Sequence, residues 1–301
     1  MMDKPTAQIA LAGATGDVGG RVLSALARRE ARVIALLRHD ASASVQDAVR
    51  AKGAKPVPVD FSDAGALATA LRGSQCVVSV LNGLEPVIID LQGRLLEAAM
   101  AAGVPRFIPS DFSLDFTKTR PGDNRNLDLR RRFKERVDAA PIRTTSILNG
   151  AFADLLTGEA PIVLHPIRRV LYWGHADQPM DFTTKDDTAD YTADVAMDDS
   201  APRLLRIAGD VVSPRDLAAL MTRLDDRPWK LLRAGGTGRL SALIRVTRVL
   251  TPDSDAAFPA WQGMQYIRDM ASGRGKLSPL DNARYGKTDW TGAEKVLTPT
   301  V

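Results

Sequence analysis

The chain has 301 residues, of which 45% are hydrophobic and 25% charged, so it can bury a sizeable core and is neither disordered nor a small disulfide scaffold. Its 40 Lys and Arg residues against 36 Asp and Glu residues give a net charge of +4, too small an excess to indicate a nucleic-acid partner. Three histidines and one cysteine, without metal-binding spacing, lead us to expect no metal site.

The only cysteine, Cys76, lies in the apolar run 76–80, so we expect a buried thiol and no disulfide, which suits a reducing cytoplasm. The apolar stretch near the amino terminus is too short for a signal peptide. No segment approaches the roughly 18 apolar residues of a membrane span. We therefore expect a cytoplasmic protein with no membrane and no nucleic-acid partner.

Short apolar, β-branched runs alternate with longer segments of helical period in the first half of the chain. This alternation is typical of repeated βαβ units. It predicts strands at 9–12, 32–38, 55–59, 76–80, 106–109 and 144–148, and helices at 16–29, 42–52, 64–72, 86–102 and 126–139. Right-handed crossovers then predict an α/β fold with a doubly wound parallel Rossmann sheet, which binds ligands at the carboxyl ends of its strands.

The pattern changes after residue 150. It predicts a hairpin of 162–165 with 170–173, a helix at 187–197, a strand at 204–208 and helices at 214–224 and 240–250. We expect an NAD(P)-binding Rossmann domain over residues 1–156 and a smaller mixed region over residues 157–301. This C-terminal region would shape a substrate pocket and can return elements to the main sheet. The pattern does not assign its Gly- and Pro-rich tail.

The segment Gly-Ala-Thr-Gly-Asp-Val-Gly-Gly at 13–20 follows the first predicted strand and opens the first helix. Glycines in that context let the backbone turn tightly and approach a pyrophosphate, whose charge meets the amides of the helix start. The alternative is an ordinary turn, but the strand before and the helix after favour nucleotide binding. We predict that a dinucleotide contacts Gly13, Thr15, Gly16, Asp17, Val18 and Gly19.

The end of the second strand bears on the choice of dinucleotide. NAD-binding chains usually place Asp or Glu there, whereas this chain has Arg38 and His39, and a guanidinium can hold a 2′-phosphate. We expect NADPH, with NADH left open by the nearby Asp40. The alternative is that Arg38 only ends a strand in solvent. Further contacts are expected at the other strand ends, at Asp60, Phe61, Leu81, Asn82 and Ser110, with Ser62 as the cap of the next helix.

The segment Arg-Phe-Ile-Pro-Ser-Asp-Phe at 106–112 resembles the RF(x)PSEFG stretch of the isoflavone reductase-like and NmrA-like group of atypical short-chain dehydrogenases. The GATGxxG turn, the element Asn-Gly-Ala-Phe at 149–152 and the closing stretch 280–286 resemble the same group in the same order. The resemblance implies NADPH-dependent reduction of small aromatic or phenolic substrates. It also places Asn149 and Phe152 in the substrate site.

Reductases of that group carry an active-site lysine on the helix after this loop, and the resemblance places Arg130 at that position. An arginine can hold a phosphate or polarise a carbonyl, but its high pKa makes it a poor proton donor at pH 7. Water or Asp111 would handle the proton, whereas Lys134 is expected to point outward. The rest of the basic run 130–136 is expected to be a solvated helix face. No tyrosine has a lysine four residues later, so the usual Tyr-x-x-x-Lys pair is missing.

Two functions remain open from the sequence. One is an NADPH-dependent reductase of a small, unsaturated or carbonyl-containing substrate, with Arg130 and Asp111 as the catalytic residues. The other is a non-catalytic regulator that senses NADP(H) and binds a protein partner, which the missing lysine favours. Fold alone does not choose between them. A homodimer is compatible with both.

Overall fold

The structure is a computed structural model and describes residues 7–251 and 256–298. Its strands are β1 (Gln8–Ala12), β2 (Arg32–Arg38), β3 (Lys55–Val59), β4 (Cys76–Ser79), β5 (Arg106–Ile108), β6 (Arg143–Thr144), β7 (Ser146–Leu148), β8 (Ala151–Phe152), β9 (Val163–Leu164), β10 (Arg169–Trp173), β11 (Met180–Thr183), β12 (Leu204–Arg206), β13 (Asp210–Val212) and β14 (Lys230–Gly235). Its helices are α1 (Asp17–Arg28), α2 (Ala43–Ala51), α3 (Ala64–Leu71), α4 (Gln92–Ala101), α5 (Arg125–Ala139), α6 (Lys185–Met197), α7 (Pro214–Asp225), α8 (Thr237–Leu250), α9 (Ala260–Ala271) and α10 (Ala293–Leu297).

The main sheet has six strands in the order β3-β2-β1-β4-β5-β6, and every neighbouring pair is parallel. Chain order reverses between β1 and β4, which is the point where doubly wound sheets bind their ligands. The predicted Rossmann fold is confirmed. The first five predicted strands and helices all occur, although the helix expected at 86–102 starts as a π-helical turn, Pro86–Leu91, with the proline in its first turn.

The core against this sheet includes one face of α5. Leu129, Phe133 and Val137 are buried, and the Phe133 ring lies 6.5 Å from that of Phe107 on β5. Their spacing of four residues places them on one side of a helix. Burial of such a phenylalanine stabilises the fold by about 1.5–3 kcal/mol. This apolar stripe packs α5 into the core of the sheet, and Arg130 is the residue after Leu129 on the same helix.

The sixth strand differs from the prediction, because the structure divides the segment 144–148 at Thr145. The Thr145 N–H donates to the Phe107 carbonyl over 3.1 Å, at the edge of the main sheet. The next amide, that of Ser146, donates to the Arg203 carbonyl over 2.9 Å, and β7 pairs with β12 instead. Thr145 lies between Thr144 and Ser146, which are both small and polar, so the sequence gives no sign of this change of partner.

The chain forms two compact units, neither continuous in sequence. Unit 1 contains the residues up to Asp111, Leu129–Ile147 and Thr188–Leu205, and so holds the main sheet. Unit 2 contains Phe112–Asp128, Leu148–Asp187 and the residues from Arg206 onward. The expected domain boundary at residue 156 stays a prediction.

Unit 2 contains two three-stranded sheets, β14-β10-β9 and β13-β11-β8. The antiparallel pair β9 and β10 is the hairpin expected from the sequence. Its parallel partner β14 was not expected, nor was α9 in the tail. The helix predicted at 240–250 is the later part of α8, and the strand and helix predicted at 204–208 and 214–224 correspond to β12 and α7.

Cys76 is fully buried with a free thiol, and burial raises its pKa to about 12, so it is not a reactive thiolate at neutral pH. Within the two described ranges, no helix combines the length and apolar character that a membrane crossing needs. Among the same residues, no three His, Cys, Asp or Glu side chains come together as a metal-binding group.

Candidate functional site

The turn at 13–20 is closed too tightly to hold side chains at two of its glycines. Gly13 has φ of +90°, and a Cβ there would lie 2.5 Å from the Val80 carbonyl oxygen. A Cβ on Gly19 would lie 1.9 Å from the Gly13 oxygen, well inside van der Waals contact. The Gly16 N–H donates to the same Gly13 oxygen over 3.0 Å. The turn therefore folds back on its own backbone, which explains these residue types without any ligand.

The turn leads directly into α1, whose N-cap is Gly16 in an extended conformation without a side-chain cap. The first-turn amides of a helix have no carbonyl four residues earlier in that helix, and together with the helix dipole they favour an anion. Thr15, Gly16 and Asp17 are exposed and Val18 is half-buried. Asp17 forms an ion pair with Arg21 at 2.8 Å. The predicted pyrophosphate contacts thus surround one exposed helix start.

Arg38 is the last residue of β2, and 84% of its side chain is exposed. Its Nε lies 3.7 Å from a carboxylate oxygen of Asp40, a loose pair in solvent that contributes little to stability. His39 is exposed beside it. The guanidinium can therefore reach an anion at the carboxyl edge of the sheet without leaving a buried partner.

The end of β3 corrects one expectation. Asp63, not Ser62, caps α3, since its carboxylate accepts from the Ala66 N–H over 2.9 Å. Ser62 instead donates to Asp60, from its hydroxyl over 2.7 Å and from its backbone N–H over 2.8 Å, and these bonds lower the pKa of Asp60. Asp60 is exposed and Phe61 half-buried at this edge of the sheet.

The ends of β4 and β5 are tied together by Ser110. Its hydroxyl donates to the Leu81 carbonyl over 2.6 Å, and its N–H donates to the side-chain oxygen of Gln92 over 2.9 Å. Gln92 is fully buried at the start of α4 and was not identified from the sequence. In the sequence, the only sign of this role was a single glutamine on an apolar helix face. Asn82 stays exposed beside Leu81.

Asp111, directly after Ser110, is a buried carboxyl with 1% exposure. Its Oδ2 accepts from the Ser146 hydroxyl over 2.5 Å, and the Ser146 oxygen accepts from Arg203 over 2.7 Å. Burial raises the pKa of Asp111, although the Ser146 hydrogen bond and the charges of Arg130, Arg203 and Lys134 act in the opposite direction. A carboxyl with this raised pKa can keep a proton nearer to neutral pH than an exposed one.

Arg130 is 6% exposed, and its charge acts to lower the pKa of Asp111, so the two predicted catalytic residues interact electrostatically. Lys134 is half-buried and bonded to Asp138, rather than pointing outward as expected. Arg132 is exposed and pairs with Glu85 at 2.7 Å. Arg130 is therefore more buried than the exposed Arg132, Glu135 and Arg136, whereas Arg131 and Lys134 are half-buried, so only part of the run is the solvated face that was expected.

In unit 2 the element 149–152 is fixed by its backbone. The N–H of the buried Asn149 donates to the Ser113 carbonyl over 3.1 Å, and its carbonyl accepts from Thr183 over 2.7 Å. Gly150 has φ of +70°, and a Cβ there would lie 2.4 Å from the Asp181 carbonyl oxygen. Phe152 ends β8 and is half-buried. The role of Asn149 and Phe152 as substrate contacts stays a prediction.

The closing stretch 280–286 also has a structural explanation in unit 2. Asp281 accepts from the Arg206 N–H over 2.8 Å, and Asn282 exchanges two hydrogen bonds with the backbone of Ala208. The side chains of the two residues thus bond the backbone at the end of β12 and just after it. In unit 1, the buried Arg106 donates to the carbonyls of Val195 and Ala196 over 2.9 and 3.2 Å, near the end of α6.

The segment before α5 is held by a buried polar network within unit 2 that was not predicted. Asn124 accepts from the Leu127 N–H and from Gln262, over 3.3 and 2.7 Å. It also donates to Asp269 over 3.0 Å. Burial raises the pKa of Asp269 as well. Carboxyls with a raised pKa therefore occur both at the predicted site and in the buried network around Asn124.

These features define an α/β protein of the Rossmann type, with a tight glycine turn at the start of its first helix. The family model described as the NmrA-like family matches residues 5–232, and the chain belongs to this family. The resemblance seen in the sequence is thereby confirmed. The isoflavone reductase homolog IRL of Zea mays is 31% identical over 210 residues. That match covers 66% of each chain, just under two thirds of the maize protein's length.

Several solved structures share the whole fold. The protein AtPrR2 with NADP⁺ and (+)-pinoresinol has a TM-score of 0.83 and 19% identity, over 98% of this chain and 99% of that one. The leucoanthocyanidin reductase–NADPH complex of Vitis vinifera has a TM-score of 0.77 and 20% identity, over 96% and 97%. An NADPH-dependent quinone oxidoreductase of Escherichia coli has a TM-score of 0.66 and 20% identity, over 89% and 90%.

Proposed function

We propose that this protein is an NADPH-dependent reductase of a small, unsaturated or carbonyl-containing molecule. The observation that carries the proposal is the exposed start of α1 behind the turn at 13–20, with the exposed Arg38 at the end of the neighbouring strand. The NADP⁺ and NADPH complexes of the relatives, and the reductase names of several of them, support it.

Unit 1 offers residues for each part of NADPH. The backbone of 13–19 and the start of α1 would bind the pyrophosphate, and Arg38 with His39 would bind the 2′-phosphate as a charged, bidentate partner. The exposed Asp60 and half-buried Phe61 would lie beside the adenosine half. The remaining predicted contacts, at the ends of β4 and β5, would face the nicotinamide half and are Leu81, Asn82 and Ser110.

When bound, NADPH supplies the hydride, so the protein has to orient the substrate, stabilise negative charge and provide one proton. Arg130 would stabilise the charge that develops on the substrate, as a fixed cation in a site with little water. Asp111 would hold the proton, which its raised pKa favours. An aromatic substrate, with Asn149 and Phe152 as contacts in unit 2, follows from the family resemblance and is part of the same proposal.

The cofactor assignment is tested with Arg38→Ala. We expect the Kd for NADPH to rise by about 10-fold or more, since a charge-assisted hydrogen bond to phosphate is lost, while the Kd for NADH changes little. Arg32→Ala is the matched control, because Arg32 is an exposed arginine at the opposite end of the same strand. An equal rise in the Kd for NADPH and for NADH in Arg38→Ala would contradict the assignment.

Turnover is tested by NADPH oxidation with a panel of enones, quinones, aldehydes and phenolic ethers. The regulatory alternative is favoured by one feature, namely an arginine where the resembled reductases have a lysine. It predicts NADPH binding without oxidation of NADPH by any substrate. It also predicts different affinities for NADP⁺ and NADPH, together with a change in partner binding or oligomeric state.

A further inference from the structure

A continuous chain of hydrogen bonds leads from Asp111 to the surface of unit 1. Ser146 bonds Asp111 at 2.5 Å, Arg203 bonds Ser146 at 2.7 Å, and the Nε of Arg203 bonds Asp138 at 2.7 Å. The other oxygen of Asp138 accepts from Lys134. Asp111 and Ser146 are buried, whereas the side chains of Arg203 and Asp138 are 31% and 38% exposed. Three separate segments of the chain, at 111, 134–146 and 203, contribute to it.

These bonds run in one direction, from Arg203 through Ser146 to Asp111. Arginine has five N–H donors and no acceptor, so Arg203 must donate to the Ser146 oxygen. Ser146 donates its single hydroxyl hydrogen to Oδ2 of Asp111. An oxygen that accepts this bond is the carbonyl oxygen of a protonated carboxyl, so the proton of neutral Asp111 resides on Oδ1. Asp138 in turn holds Arg203 through the opposite side of its guanidinium.

We propose that Ser146 and Arg203 are positioning residues that place the proton of Asp111 on Oδ1 and orient it for donation to the substrate. This rests on the proposed reductase function. There, NADPH would supply the hydride and become NADP⁺, so that a C–H bond forms on the substrate as the substrate π bond breaks. The electron pair left on the neighbouring atom takes the proton of Asp111, and the resulting carboxylate regains a proton from water. Neither residue touches the reacting atoms in this scheme.

The surroundings of Asp111 agree with this role. Positive charge faces it from Arg130 and Lys134 on α5 and from Arg203 before β12, and Asp138 on α5 balances part of it. These cations and the Ser146 hydrogen bond lower the pKa of Asp111, and burial raises it by more. Removing Ser146 or Arg203 therefore takes away a stabiliser of the carboxylate, which moves the titration of Asp111 to higher pH.

The test measures the protonation of Asp111 directly. Protein labelled with ¹³C-aspartate is titrated while the carbonyl stretch of protonated carboxyls is recorded in the infrared, and Asp111→Asn identifies the band. Ser146→Ala and Arg203→Gln are compared with the conservative Ser146→Thr and Arg203→Lys, which also guard against loss of folding. Ser24→Ala is the control, since the Ser24 hydroxyl donates to a backbone carbonyl of α1.

We expect the midpoint of the Asp111 band to move to higher pH in Ser146→Ala and Arg203→Gln and to return toward the wild-type value in the conservative variants. The alkaline limb of kcat should move in the same direction, with kcat lower by about 10-fold and KM unchanged. An unmoved midpoint in both folded variants overturns the proposal and leaves the reductase function standing. A moved midpoint without any NADPH turnover supports the positioning of the Asp111 proton and overturns the reductase function alone.

Discussion

The turn at 13–20 and the end of β5 at Asp111 belong to the same parallel sheet but are held in different ways. At the turn, backbone meets backbone, and a Cβ on Gly19 would lie 1.9 Å from the Gly13 oxygen. At Asp111, a buried carboxyl is held by a hydroxyl and by the charges of residues from α5 and from the segment before β12. We therefore expect the turn to be disrupted by substitutions that add side-chain volume, and the surroundings of Asp111 by substitutions that change charge.

The largest effect is expected where volume matters, in Gly19→Ala. The new methyl group overlaps the Gly13 oxygen, so the turn must open, and we expect a loss of about 2–4 kcal/mol in the free energy of unfolding. Urea denaturation measures this. Gly16→Ala is the matched control, because its Cβ would lie 3.5 Å from the same oxygen at an ordinary φ of −77°. Equal losses in both variants would mean that the turn is not sterically closed.

The second effect concerns charge. Arg130→Ala removes a buried cation without adding volume, and we expect kcat to fall by about 100-fold or more with a smaller change in stability than in Gly19→Ala. Arg130→Lys keeps the charge and should retain more activity. The control is Arg132→Ala, which removes an exposed guanidinium from the same helix. Wild-type kcat in Arg130→Ala would remove Arg130 from the mechanism.

The same contrast explains which features could be predicted from the sequence. The turn is determined within eight residues, and the strand and helix that flank it are visible in the apolar pattern. Asp111 depends on Ser146, 35 residues away, which in turn depends on Arg203, a further 57 residues away. No local pattern connects such positions. The same reason hides Gln92, the division of the sixth strand at Thr145, and the parallel partner that β14 supplies to β10.

A third prediction concerns pH. The pKa of Asp111 is raised in the folded protein, so folding favours the protonated carboxyl. This protonated carboxyl contributes stability below the ordinary pKa of aspartate. The contribution is lost as the pH rises through the raised pKa of the folded protein. Asp111→Asn should remove this decline and flatten the stability profile over that window. Asp47→Asn, at an exposed position on α2, is the control. A profile unchanged by Asp111→Asn would show that Asp111 titrates normally.

The end of β3 lies between the two extremes, because a side chain there supports the backbone in solvent. Asp63 caps α3 through the Ala66 N–H, whereas Ser62 bonds only a neighbouring exposed carboxylate among the contacts described. We expect Asp63→Ala to cost about 1 kcal/mol in the free energy of unfolding, the usual value of a helix cap, and Ser62→Ala to cost less. Both are measured by urea denaturation.

Because Asp60 lies between β3 and α3, the two variants also separate stability from binding. Ser62→Ala removes the hydroxyl hydrogen bond that lowers the pKa of Asp60 and leaves the backbone one, so it should change NADPH affinity more than it changes stability, if Asp60 contacts the adenosine half. Asp63→Ala should do the reverse. If the change in NADPH affinity has the same ratio to the change in the free energy of unfolding in both variants, the end of β3 affects cofactor binding only through the stability of the fold.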